Sequence, residues 1–236
     1  MAETLFPAPP AVLLRLDGRP ERFPVHRIYC VGRNFADHAA EMGATVDRGQ
    51  PVFFMKPADA AFHPDRGVPY PAATQDLHHE VELVVALGRD AEGPLDPATA
   101  AGLVVAWTVG LDLTRRDLQA RAKERRLPWD TAKGFDASAP LGELVPAEAG
   151  MPAPGQALWL EVEGEVRQRA PLSQMIWGMA DILVELSKLF RLRAGDLVFM
   201  GTPAGVGALS PGDRLRAGLG DRTLLETRVL ARRPGD

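Results

Sequence analysis

"LHHEVELVVALG", Leu77 to Gly88, decides the fold. Its second half is a continuous apolar run of the kind that fills a sheet, while its first half packs two histidines and two glutamates into neighbouring positions. On a strand, alternate side chains point to opposite faces, so Glu80 and Glu82 share one face and Val81, Leu83 and Val85 take the other. Two carboxylates at the head of a buried strand repel each other and resist desolvation. Two readings follow. Either the strand edge is open and both glutamates stand in water, or a bound cation neutralises them. All-oxygen ligation favours a hard ion such as Mg²⁺, Ca²⁺ or Mn²⁺. His78 has the same parity, so a His-Glu-Glu site for a softer metal is also open. The HExxH pattern of zinc proteases is absent.

Outward from this stretch, short apolar runs alternate with turn residues, and the 21 prolines and 23 glycines fall between them. Strands are expected at 11–16, 27–32, 52–56, 81–88, 103–113, 157–164, 196–201, 214–219 and 224–230. Three segments read as helices. The first is the short 34–42. The second is 114–126, with Thr114 and Asp117 in a capping-box spacing. The third is 175–190, where Ile176, Met179, Leu183, Leu186 and Phe190 form one apolar stripe. Strands outnumber helices and do not alternate with them, which predicts a mainly β, α+β domain rather than a doubly wound sheet. The longest irregular stretch is 57–80, and a loop of that length inside a compact domain is usually functional or mobile. Asp112 ends the 103–113 strand. It serves either as part of the following helix start or as a third ligand, and local sequence does not decide between them.

The 236 residues suffice for one large domain with a substantial core, and one domain over 1–236 is expected. Net charge is −4 and basic residues are dispersed, so nucleic-acid binding gains no support. The single cysteine, Cys30, permits no intrachain disulfide and fits a reducing compartment. No apolar run reaches the ~18 residues of a membrane span, and "MAETLFPAPP" lacks a secretory pattern. A cytoplasmic location is the expectation.

With these landmarks the chain resembles the fumarylacetoacetate hydrolase family, in particular its short acylpyruvate-cleaving members. The resemblance runs in order through "YCVGRNFADHAAEMG" (29–43), "PVFFMKPADA" (51–60), "LHHEVELVVALG" (77–88), "VGLDLTRRDLQ" (109–119), "PWDTAKGFDASAP" (128–140), "QMIW" (174–177) and "LVFMGTPAGVG" (197–207). It spans roughly residues 26 to 210, with an N-terminal strand segment over 1–25. It implies a mixed β-sandwich roll with a few helices, usually a homodimer. It carries metal ligation onto Glu80, Glu82 and Asp112, with Mg²⁺ as the usual occupant and Mn²⁺ or Ca²⁺ as alternatives, and leaves His78 and His79 without a ligand role.

The resemblance also implies a water-activating pair in His38 and Glu41, which lie three apart on one helix face, within a lid segment. Lys133 and Gln119 would meet the developing oxyanion, Arg116 the substrate carboxylate, and Thr202 the substrate. Many relatives carry serine where this chain has Ala58, and the "KPADA" and "AKGFDASAP" variants lean toward fumarylpyruvate. The implied reaction is hydrolytic C–C cleavage of a 2,4-dioxo acid, most simply fumarylpyruvate to fumarate and pyruvate. Oxaloacetate decarboxylation, or isomerase and hydratase steps of aromatic degradation, are alternatives on the same site. A non-catalytic metal-binding module is the alternative of another class.

Overall fold

A computed structural model describes residues 4–41 and 49–232. In it the apolar run becomes the strand Val81–Leu87, buried along its whole length. Both of its faces are covered. Val81, Leu83, Val85 and Leu87 enter a large core shared with Tyr29, Leu158, Leu160, Leu215 and Ile182. Val84 and Ala86 enter a smaller one with Ile28, Leu141, Leu197 and Phe199. This double burial is why the sequence shows an unbroken run instead of alternation. Each fully buried Val or Leu contributes about 1.5–3 kcal/mol. Cys30 lies in the smaller core, free and buried, and burial pushes its thiol well up.

Val81–Leu87 is an inner strand of a six-stranded sheet, ordered Val145–Pro146, Val104–Leu111, Val81–Leu87, Leu197–Phe199, Ile28–Gly32, Val52–Lys56. All its pairings are antiparallel except Leu197–Phe199 with Ile28–Gly32. The large core lies between this sheet and a five-stranded one built from Glu165–Pro171, Ala157–Val162, Arg214–Leu219, Arg222–Leu230 and Val68–Pro69. The helix Met179–Leu189 closes it with Ile182, Leu183 and Leu186. The protein is thus mainly β with few helices, as expected. Among the described residues no helix is long and apolar enough to cross a membrane.

Several expectations need correction. The strand expected at 81–88 forms as Val81–Leu87, but the residues before it make a strand of their own: Leu77–His79 pairs with Thr114–Arg115 and Gly207–Ala208 in a separate three-stranded sheet, and Glu80 sits at the joint. The 57–80 segment is not irregular, because it holds a 3-10 turn at Ala58–Ala60 and the strands Ala61–Phe62, Val68–Pro69 and Leu77–His79. Thr114 does not cap a helix. Its hydroxyl donates to the Asp112 carbonyl at 3.1 Å, it takes part in a strand, and the helix begins at Arg116 and runs to Glu124. The third helix starts at Met179, where Gly178 N donates to Asp181, so Ile176 lies before it. The first helix is Ala36–Glu41; Met42 and Gly43, included in the expected helix and its motif, lie outside the described residues, as do residues 1–3 of the N-terminal segment. Among the elements not anticipated are the strands Glu165–Pro171 and Val145–Pro146, the helix Asp130–Lys133 that carries Lys133, and the helix Pro97–Ala101, which Asp96 caps.

Candidate active site

Strand register assembles the acidic cluster. Val81 pairs with Leu111 and Glu82 with Gly110, and Asp112 N extends the ladder to the Glu80 carbonyl at 2.8 Å. Glu80 and Asp112 are therefore opposite each other, and Glu82 lies two residues along on the face of Glu80. One oxygen from each of the three buried carboxylates falls within 4.8 Å of the others. His78 is not part of this cluster. Its Nε2 lies 2.9 Å from Asp76 Oδ1, and Arg116 Nε donates to its Nδ1 at 3.3 Å.

Among the described residues three cations pair with the cluster's carboxylates. Lys133 Nζ bridges Glu80 Oε2 at 2.7 Å and Asp112 Oδ2 at 2.5 Å. Lys56, also buried, sets its ammonium 2.8 Å from Asp112 Oδ1 and donates to the carbonyls of Leu113 and Lys133. Arg116 pairs with Glu80 Oε1 and donates to Gln119 Oε1 at 2.5 Å. Burial opposes ionisation of Glu80, but Lys133 and Arg116 outweigh it and hold its carboxyl well below the usual range. Burial likewise works against the Lys133 ammonium, and Asp112 and Glu80 raise it on balance.

Glu82 differs. It makes no ion pair among the described residues and accepts one hydrogen bond from Gly201 N at 2.6 Å. Burial, then Asp112 and Glu80, push its carboxyl well up. Asp112 Oδ1 is near Lys56 but lacks a bond of hydrogen-bonding geometry. A hard divalent cation fits these residues, since it would satisfy that oxygen and offset the charge of Glu82. Gly201 is needed as glycine. Its φ is +92°, and a Cβ there would lie 2.6 Å from Asn34 Cβ.

His38 lines the same cavity as the three carboxylates. Its Nδ1 lies 3.4 Å from Glu41 Oε2, and Gly205 N donates to the Glu41 carboxylate at 3.2 Å. Gly205 has φ +93°, and any Cβ would strike the Arg167 carbonyl oxygen at 2.0 Å, so this anchor also requires glycine. Burial lowers the His38 pKa more than Glu80 and Glu41 raise it. The imidazole is therefore neutral at pH 7, with its Nδ1 proton toward Glu41 and Nε2 free to accept. Asn34 secures the start of this helix, donating to the carbonyls of Met200 at 2.7 Å and Trp177 at 3.1 Å and accepting from Trp177 N at 2.8 Å.

Thr202 lines the cavity too, and its hydroxyl accepts from Gln168 Nε2 at 2.8 Å. Gln168 also donates to the Pro203 carbonyl at 2.8 Å and accepts from Val81 N at 3.1 Å, with His79 Nδ1 at 2.9 Å from the same oxygen. The backbone partners fix which end of the amide is which. With its lone pair taken by Gln168, the Thr202 hydroxyl keeps its proton for another acceptor. His79 thus holds Gln168, and His78 holds Arg116. Sequence reasoning named neither Lys56 nor Gln168. Lys56 carried a readable signal, a cation ending an apolar strand just as Asp112 does.

The frame and its acidic pocket together define a metal-binding enzyme. The chain belongs to the fumarylacetoacetate hydrolase family: the family model described as "Fumarylacetoacetate (FAA) hydrolase C-terminal" matches residues 27–230. The mitochondrial oxaloacetate tautomerase of Rattus norvegicus is 44% identical over 193 residues, 81% of this chain and 86% of that protein. An oxaloacetate tautomerase of Escherichia coli is 39% identical over 209 residues, 88% of this chain and 94% of that protein. The crystal structure of fumarylpyruvate hydrolase from Pseudomonas aeruginosa, in complex with Mn²⁺ and pyruvate, aligns with a TM-score of 0.92 at 43% identity, covering 97% of this chain and 99% of that one.

Proposed function

We propose that this protein is a metal-dependent hydrolase that cleaves a C–C bond in 2,4-dioxo acids, with fumarylpyruvate as substrate and fumarate and pyruvate as products. One observation carries the reading. A buried, neutral imidazole, oriented by a backbone-anchored carboxylate, lines the cavity of the three-carboxylate cluster. The similar fumarylpyruvate hydrolase, solved with Mn²⁺ and pyruvate, supports it.

Glu80, Glu82 and Asp112 would hold a divalent cation, which would supply Lewis-acid polarisation of the substrate's oxygens. His38 Nε2 takes a proton from water, and Glu41 stabilises the imidazolium. The hydroxide adds to the distal keto carbon. The Gln119 amide nitrogen, left free because its oxygen is bonded to Arg116, donates to the oxyanion. The Thr202 hydroxyl donates to the substrate. Lys133 is committed to Glu80 and Asp112, so its first role is to hold those carboxylates in place. On C–C cleavage the acyl carbon keeps the hydroxyl oxygen as fumarate. The released three-carbon fragment takes the proton back and leaves as pyruvate.

A second reading, oxaloacetate tautomerase, is favoured by the named relatives from rat and Escherichia coli. It would use the same base to move a proton between carbon and oxygen without adding water. The test is product analysis with Mn²⁺-loaded protein. Fumarate and pyruvate released from fumarylpyruvate support the hydrolase. Faster enol–keto conversion of oxaloacetate, with no pyruvate from fumarylpyruvate, replaces it with the tautomerase.

A further inference from the structure

The deep end of the cavity is balanced in charge, with three carboxylates set against Lys56, Lys133 and Arg116. Its outer part is not. The helix Arg116–Glu124 places Arg116, Gln119 and Lys123 at spacings of three and four, so all three line the cavity. Arg116 and Gln119 bond to each other and Arg116 to Glu80, whereas the Lys123 ammonium makes no hydrogen bond or ion pair among the described residues. It rests 5.5 Å from the ring centroid of Trp129, another cavity residue. Burial, then the nearby Arg116 and Arg33, press its pKa down.

Arg33 is the second such cation on this wall. It is exposed, and its guanidinium likewise has no hydrogen-bond or ion-pair partner among the described residues. Its φ of +61° is a conformation that residues with side chains seldom adopt. The three side-chain bonds of the adjacent Asn34 pin the turn there. A rare backbone conformation, held by a dedicated anchor, that sets a cation without a partner among the described residues on the cavity wall points to a ligand.

Between the deep cations and this rim lie two aromatic rings. Lys133 Nζ is 5.0 Å from the Phe54 centroid, Phe54 is 6.0 Å from Trp129, and Trp129 is 5.5 Å from Lys123 Nζ. The rings form a continuous apolar wall from the carboxylate cluster to the outer cations.

We infer that Arg33 and Lys123 form a subsite for the distal carboxylate of a dicarboxylic oxo acid, whose chain lies along Phe54 and Trp129. The inference rests on the reading of the deep pocket as an oxo-acid site and adds the residues that recognise the far end of an extended dianion. Oxaloacetate carries its second carboxylate only two carbons from the keto group, so that carboxylate stays near the deep cluster. A seven-carbon dianion reaches outward.

Binding tests this without turnover. 2-Oxoheptanedioate and 2-oxoheptanoate share one chain length and differ in the distal carboxylate. Calorimetry with Mn²⁺-loaded protein should show the dianion at least about tenfold tighter, the scale of charge-assisted hydrogen bonds. In the R33Q/K123Q double variant, checked for unchanged thermal unfolding, the dianion should bind only as well as the monoanion. Equal affinities in the wild type, or a preference that survives in the double variant, overturn the subsite. If the preference is present and lost in the variant while fumarylpyruvate gives no pyruvate, the subsite stands and the hydrolase reading falls. Pyruvate release without any preference has the reverse meaning.

Discussion

His38 serves as a base only while its imidazole is neutral, and burial secures that by lowering its pKa below the ordinary value of about 6.5. The sign follows directly. The base is competent above its pKa and lost as pH falls through it, so the acid limb of kcat/KM should lie below pH 6.5. His38→Gln should cut turnover about 10²-fold or more, the usual worth of a positioned base. Mn²⁺ affinity should hold, because no ligand is removed. A variant as active as wild type, or an acid limb above the ordinary histidine value, would count against the assignment. At this scale the sequence was only partly legible. The parity of Glu80 and Glu82 was readable directly, and Asp112 needed the family resemblance, because its partner strand is fixed by register and not by spacing. Lys56 carried the signal of a cation ending an apolar strand, but a lysine at a strand end is usually solvated, and only the fold shows it buried against Asp112.

Elements explain the other omission. The strand Glu165–Pro171 escaped notice because it is an edge strand whose outward residues are polar and whose Val166 is 54% exposed, which leaves no apolar alternation to read. Gln168 is its inward exception, 1% exposed. The ladders inside 57–80 were equally illegible. Each is two or three residues long, and Ala61–Phe62 finds its partner at Ala139–Pro140. The long inner strands were legible because burial on both faces demands continuous apolar sequence. Gln168 ties the edge strand to the head of the Val81–Leu87 strand and to Thr202, so its loss should be felt in both. Gln168→Leu strands several buried polar groups and should cost about 3 kcal/mol, or about 6–12 °C in a chain this size. KM should rise as Thr202 loses its orientation. Gln168→Glu keeps the acceptor oxygen for Val81 N but loses the donors to Thr202 and Pro203, so it should recover part of the stability and little of the KM. Thermal unfolding within about 2 °C of wild type for Gln168→Leu would show that the network carries no weight.

For the whole molecule the question is whether folding depends on the metal. Structural zinc domains fold only when loaded, because the ion supplies most of the core. Here two extensive apolar cores exist without it, and Lys56, Lys133 and Arg116 already pair with Glu80 and Asp112, two of the three carboxylates. Chelated protein should therefore stay folded and lose only turnover. Adding Mn²⁺ at about a hundred times its Kd should stabilise by about 2.7 kcal/mol, or about 5–10 °C for a chain of this length. Glu82→Gln separates metal binding from folding. Glu82 has no cation of its own, and a glutamine can still accept from Gly201 N. The variant should thus unfold at the wild-type temperature or above it when metal-free, because a buried and repelled carboxyl has been removed. It should also lose the Mn²⁺ shift, because one charged ligand of three is gone. If Glu82→Gln keeps the full shift, the cation lies elsewhere. If metal-free wild type is unfolded at room temperature, the lysines do not balance the cluster as the structure implies.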